Sequence, residues 1–327
     1  MKIGKVPESV LKRSVIRQLH TRREEVVLGA GVGEDCAAVA VAEDEMLVMS
    51  TDPITGTVHE IGRLAILITT NDLASAGAEP IGVMLTILLP PDFEESELKK
   101  LMQQLDEAAA SVNVQIMGGH TEITQAVAQP LVTVCGVGKV KRGELVSTGG
   151  ARAGMDILAT KWIGLEGTSI IARAKEEELS ARFSLNFIEK AKKLDAYLSV
   201  MSEAATAVKS GVGAMHDVTE GGIYGALWEM AEASGVGLEI DLKKIPIRQE
   251  TVEICEFFNI NPYELISSGC MLMAAEDGNL LVSELKKAGI PAVIIGKATA
   301  SNDRVLINEE ERRFLEPPKT DELYKVV

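Results

Sequence analysis

Residues 81–89 read IGVMLTILL, an apolar run fenced by Pro80 on one side and Pro90-Pro91 on the other. So continuous an apolar segment is a buried strand, because a half-exposed strand alternates apolar with polar residues. The run is too short to cross a bilayer, and the sequence contains no longer one. A buried strand needs covering layers, and its neighbours supply them. Residues 60–75 and 94–112 have helical spacing, the second after an acidic turn, and residues 8–23 place Val10, Leu11, Val15, Ile16 and Leu19 on one helical face. Strands are expected at 46–50, 114–117 and 131–140. Strands and helices alternate through irregular loops, which predicts a mixed α+β fold rather than a plain doubly wound sheet.

The stretch Thr148-Gly-Gly-Ala-Arg-Ala-Gly154 is a glycine-rich joint. A chain of 327 residues has room for two cores, so the predicted domains are 1–150 and 151–327. Beyond the joint, strands are expected at 155–160, 214–215, 237–241, 270–275 and 292–298. Helices are expected at 168–178, 184–209, 223–234, 250–257 and 278–288. That order suggests a ferredoxin-like α/β domain.

The net charge of −15 is spread evenly: 13 basic and 20 acidic residues in 1–150, 20 and 28 in 151–327. With no basic arm and only 4% aromatic residues, binding to nucleic acid or to an anionic membrane is disfavoured. Cys36, Cys135, Cys255 and Cys270 form no CxxC or CxxH pair, which argues against structural zinc and disulfides and for a reducing, cytoplasmic setting. The first residues lack the apolar core of a signal peptide.

The common phosphate-binding signatures are missing. There is no GxxxxGK[ST], and Gly29, Gly31 and Gly33 do not make GxGxxG. What remains is a spaced series of acidic residues expected in loops: Glu34-Asp35 in GVGEDCAAV, Asp52 in STDP, Asp72 in TTNDLASAGAEP and Glu122 in MGGHTE. Each stands beside small residues that let a ligand approach the backbone. Taken singly, an aspartate near a helix start is a cap and a glycine-rich stretch is a turn. Converging carboxylates repel unless a divalent cation joins them. Hard oxygen ligands with glycine N–H donors suit Mg²⁺ on a polyphosphate.

In order, GVGEDCAAV, STDP, IGRLAILITTNDLASAGAEP and IMGGHTE resemble the N-terminal segments of the aminoimidazole-ribonucleotide synthase (PurM-like) superfamily. AMHDVTEGGIYGALWEMAEASGVGLEI is similar to a segment of its hydrogenase-maturation dehydratase branch, the HypE type. The resemblance runs over residues 28–300. It implies a two-domain fold whose N-terminal domains pair into a β-barrel in a homodimer, with ATP bound near that interface and Mg²⁺ held by aspartates. It implies phosphoryl transfer to an acceptor oxygen, of an amide or a carbonyl, on a small-molecule or protein-bound acceptor. Such chemistry rests on positioning and charge neutralisation. By motif, Asp35, Asp52 and Asp72 become metal ligands. Gly33, Asn71, Gly118, Gly119 and Thr121 join them around the nucleotide.

The sequence departs from the family at two places. His120 stands in GGHT where relatives carry Asp or Glu. Imidazole is a poor Mg²⁺ ligand, so either Glu122 replaces the carboxylate, one metal site is lost, or His120 binds Mn²⁺ or works as an acid–base group. The dehydratase relatives carry a cysteine on a mobile tail, whereas here no cysteine follows Cys270. The expectation is therefore an enzyme like the dehydratases that performs a different final step. Its rivals are a small-molecule kinase similar to thiamine-monophosphate kinase, whose GGEDYEL-type segment is replaced by SSGCMLM, and a nucleotide-binding regulatory protein without turnover. Lys5, in an N-terminal arm, and His59, in a polar loop, are further candidates. His216, Asp217 and Thr219 precede Gly221-Gly222 at a helix N-terminus, an anion-binding position. Trp228 and Met230 belong to that helix as core.

Overall fold

The computed structural model describes residues 4, 5, 7–31, 36–55, 61–317 and 319–327. They fall into two compact units, Met1–Ala74 with Ala78–Leu145, and Ser75–Gly77 with Val146–Val327.

The first unit contains β1 (Gly4–Lys5), α1 (Glu8–Val10), β2 (Val26–Leu28), β3 (Ala38–Val39), β4 (Glu45–Thr55), α2 (Ile61–Ser75), β5 (Glu79–Leu89), α3 (Glu95–Ser111), β6 (Gln115–Ile123) and β7 (Leu131–Lys141). Five strands form one sheet in the order β1-β6-β5-β7-β4, and β2 pairs with β3 apart from it. Within that sheet β5 and β6 run parallel, while the other pairings are antiparallel. The apolar run lies in β5, at the centre. Its residues Val83, Leu85 and Ile87 meet Ile66 of α2 and Leu98 and Leu105 of α3 in a fully buried core. Each such side chain contributes about 1.5–3 kcal/mol through removal from water. The helix α3 begins at a capping box in which Glu94 and Glu97 each accept from the other's backbone N–H.

The helix expected over 8–23 ends at Gln18, after α1 continues as a π turn and a 3₁₀ turn. Tertiary bonds then take the chain away from helix geometry. His20 N–H donates to Asp106 Oδ1 at 2.8 Å, and Arg23 N–H to Gln115 Oε1 at 2.7 Å. The strands expected at 46–50 and 114–117 extend through Asp52 and Glu122 into β4 and β6. The acidic residues expected in loops therefore lie in regular structure: Asp52 in β4, Glu122 in β6 and Asp72 in α2. Pairing with β7 and β5 supplies ladder bonds that carry these strands past Pro53 and Gly118-Gly119.

The second unit contains β8 (Asp156–Thr160), α4 (Leu165–Ala174), α5 (Glu176–Ser180), α6 (Leu185–Lys192), α7 (Met201–Lys209), β9 (Ala214–Asp217), α8 (Gly222–Ser234), β10 (Gly237–Asp241), α9 (Gln249–Phe258), β11 (Met271–Ala275), α10 (Gly278–Lys287), β12 (Ala292–Thr299), β13 (Arg304–Asn308) and β14 (Glu311–Phe314). Its seven-stranded sheet has the order β14-β13-β10-β12-β8-β11-β9, and β12, β8, β11 and β9 make an antiparallel group of four within it. The single helix expected over 184–209 is α6, a 3₁₀ turn and α7. A buried cation accounts for the break. Lys161 Nζ pairs with Glu203 at 2.6 Å and donates to the carbonyls of Tyr197 and Ser199 at 2.7 and 2.6 Å, taking those acceptors out of a helical ladder.

Candidate active site

Strand β4 alternates about its own axis. Leu47, Met49, Thr51, Pro53 and Thr55 are exposed, and Met46, Val48, Ser50, Asp52 and Ile54 lie on the other, partly buried face. Met46 and Val48 pack with Leu73 of α2, and Ile54 packs on the main core, so this second face is the helix-covered one. There Ser50 Oγ donates to Asp72 Oδ2 at 2.5 Å. Asp52 stands one strand repeat, about 7 Å, further along the same face. Its Oδ2 is buried without a hydrogen-bond partner, as is the Thr69 hydroxyl one turn before Asp72. Gly136 of β7, opposite Ser50 in register, makes the layer this thin: a Cβ there would lie 2.6 Å from Thr69 Cγ2.

A buried carboxylate oxygen without a partner costs stability until something pairs with it. Two aspartates on one face, one with a vacant oxygen, are a donor set suited to a hard divalent cation. Mg²⁺ typically takes one or two carboxylates and completes its shell with water and phosphate oxygens. Among the described residues no group of three or more His, Cys, Asp or Glu side chains could hold a metal ion. Gly33, Asp35 and His59 lie outside the described residues. Asn71 is fully buried on α2.

Strand β6 separates the remaining candidates. Its Thr121 points to the helix-covered face and is buried, whereas His120 and Glu122 lie on the opposite, solvent-facing side. His120 Nε2 and Glu122 Oε2 are 2.9 Å apart, a pair of their own. Strands β5 and β7 stand between β6 and β4, three spacings or about 14 Å. Within one chain, then, Glu122 is not brought to Asp52 and Asp72. The backbone of Lys5 pairs with Glu122 in register. Gly119 has φ +144°, and a Cβ on it would lie 1.9 Å from the Leu85 carbonyl oxygen. Glycine is required there for the β5–β6 approach, whatever else Gly118 and Gly119 touch.

In the second unit His216 and Asp217 fall on opposite faces of β9. His216 Nε2 lies 2.8 Å from Glu229 Oε2 and Nδ1 lies 3.3 Å from Thr148 Oγ1. Asp217, buried, belongs instead to a group with Glu166 and Asp321 around the N-terminus of α8. Sequence reading passed over Ser50, Thr69, Glu166 and Asp321. Ser50 carried a signal, since it sits two residues before Asp52 on a strand. Glu166 carried another, as the one charge in WIGLEGTSII.

Both units of this α+β chain match models of one protein family. Residues 33–140 match the N-terminal domain of AIR synthase related proteins and residues 152–308 the C-terminal domain, and the chain belongs to that family, with its PurM-like fold. It is 30% identical to the carbamoyl dehydratase HypE of Cupriavidus necator, over 78% of this chain and 73% of that one. It is 29% identical to a hydrogenase expression/formation protein of Methanocaldococcus jannaschii, over 99% and 97%. In fold it is similar to the crystal structure of a hydrogenase maturation protein HypE in complex with ATP, with a TM-score of 0.83, 19% identity, and coverage of 99% and 97%.

Proposed function

We propose that the chain is an ATP-dependent enzyme of HypE type that activates an amide or carbonyl oxygen of a small-molecule or protein-bound acceptor by phosphoryl transfer. The observation that carries this reading is Asp52, whose buried, unpartnered oxygen lies on the same face as Asp72. These two would hold Mg²⁺, which supplies charge neutralisation for the phosphates. The work of the chain is then positional. Ser50 fixes the Asp72 carboxylate, and the thin layer at Gly136 holds α2 against the sheet so that both carboxylates stay oriented. Asp35 and Gly33 extend the nucleotide site by motif, as do Gly118, Gly119 and Thr121. His120, paired to Glu122 on the other face, is read as an acid–base group.

The domains are read as 1–150 for nucleotide and dimerisation and 151–327 for the acceptor. The antiparallel order β12-β8-β11-β9, with helices between β8 and β9 and between β11 and β12, supports a ferredoxin-like core in the second. A homodimer pairing the solvent-facing sides of the first sheets is supported by Leu47 and Met49, 48% and 64% exposed. The same pairing would cover Met84, Leu88, Leu131 and Cys135, which share that face and are half-buried. A stable interface of this kind buries more than about 1,200 Å². No helix among the described residues is long and apolar enough to cross a membrane, and a cytoplasmic setting is part of the proposal.

The test is turnover. Phosphate or ADP release from ATP is measured with and without Mg²⁺ over a panel of carbamoyl, carboxamide and thiamine-phosphate acceptors. Stimulation by a carboxamide supports the reading, and stimulation by the thiamine phosphate alone replaces it with the kinase. Binding without turnover under every condition leaves a regulatory protein.

A further inference from the structure

The C-terminal turn of the chain closes on the N-terminus of α8. Asp321, 1% exposed, accepts the Gly221 N–H on Oδ2 at 2.7 Å and the Leu323 N–H on Oδ1 at 2.8 Å. Glu322 accepts the Asn261 N–H at 3.2 Å and pairs with Lys325. Leu323 and Val326 pack against the apolar group of Ile171, Leu179, Ile254 and Leu265. Glu166, on the first turn of α4 and 3% exposed, is hydrogen-bonded to Ser268 and keeps Oε2 without a partner.

The groups facing Glu166 come from three segments. Asp217 comes from the end of β9, Ser268 from the loop before β11, and Asp321 and Tyr324 from the C-terminal turn, with Glu220 of the loop before α8 beside Tyr324. None of these is a cation. Several carboxyls gathered in one dry place cannot all ionise. Burial, with the added repulsion of Asp321 and Asp217, pushes Glu166 up to about 7, and burial raises Asp321 as well.

We propose that residues 321–327 are a strap latched over the N-terminus of α8, and that a proton held by Glu166 is the catch. While Glu166 is neutral, Asp321 keeps its charge and both amide bonds. Once Glu166 ionises, its charge and that of Asp321 repel each other. The strap then lifts, opening the Gly221 N–H and Asp217 to water. The sign follows from a carboxyl raised on folding. Its contribution is complete below the ordinary value of 4.5 and is lost as pH rises through about 7. The strap engages no nucleotide residue, so it stands or falls apart from the proposed activity.

Hydrogen exchange of the full chain, read by mass spectrometry on peptides covering 321–327 and corrected for intrinsic rates, tests this between pH 5.5 and 8.5. In the wild type, protection is expected to fall by up to about tenfold per pH unit from pH 5.5 to about 7, as for release of one proton on opening, and to level off above 7, where Glu166 is ionised with the strap closed or open. Glu166→Gln is expected to abolish the slope and keep the strap protected at pH 8.5. Asp321→Asn, which removes the opposing charge and weakens the cap but leaves Glu166 buried, is expected to give lower protection with a shallower slope. Wild-type protection that stays flat to pH 8.5 overturns the proposal, as does a slope that survives in Glu166→Gln. Should that variant not fold, a slope in Asp321→Asn as steep and as wide as the wild type's does the same.

Discussion

The hydroxyl of Ser50 on β4 donates to Oδ2 of Asp72 on α2 at 2.5 Å, tying the helix to the one face of the sheet on which Asp52 also stands. This bond uses one oxygen of Asp72 and orients the carboxylate, while Asp52 keeps an oxygen with no hydrogen bond at all. The asymmetry suits a site in which one carboxylate is held in place and the other awaits a ligand.

Asp52→Asn should therefore separate binding from folding. The substitution removes the charge of a partly buried carboxylate whose Oδ2 has no partner, so the ligand-free protein should melt close to the wild-type temperature. With ATP and Mg²⁺ at about 100 times the dissociation constant, the wild type gains roughly 2.7 kcal/mol by mass action. The variant should lose most of that gain. Differential scanning fluorimetry with ATP, with Mg²⁺ and with both reads the outcome. Equal shifts with and without metal in the wild type would remove the carboxylates from the nucleotide site.

Much of this architecture is legible in the sequence, and the failures have a physical pattern. The central strand β5 and the capped helix α3 were readable because their signals are local: an apolar run between prolines, and Glu94 placed three residues before Glu97. The extensions of β4 past Pro53 and of β6 through Gly118-Gly119 were not, because partner strands distant in sequence supply their hydrogen bonds. The break before α7 depends on Lys161, some 36 residues from the carbonyl it binds. At the site, the residue types were visible but their faces were not. A one-residue step along β6 sends Thr121 inward and Glu122 outward, and the register that decides this is tertiary.

Gly119→Ala should be strongly destabilising although the residue is exposed. Its Cβ would meet the Leu85 carbonyl oxygen at 1.9 Å, from a backbone φ of +144° that L-residues rarely adopt. Backbone clash and conformational strain together put the cost at about 2–4 kcal/mol. Urea unfolding followed by circular dichroism measures it. A loss under about 0.5 kcal/mol would mean that β5 and β6 do not approach so closely.

The solvent-facing side of the first sheet gives a further expectation. Met49→Lys places a charge at the most exposed apolar position of β4, where Lys139 already stands opposite its neighbour Leu47. If two copies meet on this face, the variant should sediment as a 35 kDa monomer at micromolar concentrations where the wild type is dimeric. Its melting curve should change little if the monomer holds its own core. A wild type that sediments only as a monomer would withdraw the interface.

The cysteines carry the last prediction, because a carbamoyl-carrying step needs a thiol that can leave its packing and reach the nucleotide. Cys255 and Cys270 are buried, and burial pushes both thiols up to about 12, so neither offers a useful thiolate fraction at neutral pH. Cys135 is half-buried on the proposed dimer face of β7, opposite Thr51 in register. Cys36 alone is exposed. Native protein treated with iodoacetamide at pH 8 should thus label at Cys36 first, at Cys135 slowly, and at Cys255 and Cys270 only after denaturation. Replacing Cys36 and Cys135 with Ser should leave Mg²⁺-dependent ATP binding and any ATP turnover within about twofold of wild type, since neither thiol belongs to the carboxylate set. Incubation with a carbamoyl donor system should give no cysteine-linked adduct by peptide mass spectrometry. A carbamoylated or cyanated Cys36 would assign this chain the carrier step of the dehydratases after all, with the thiol supplied from the loop that follows Asp35.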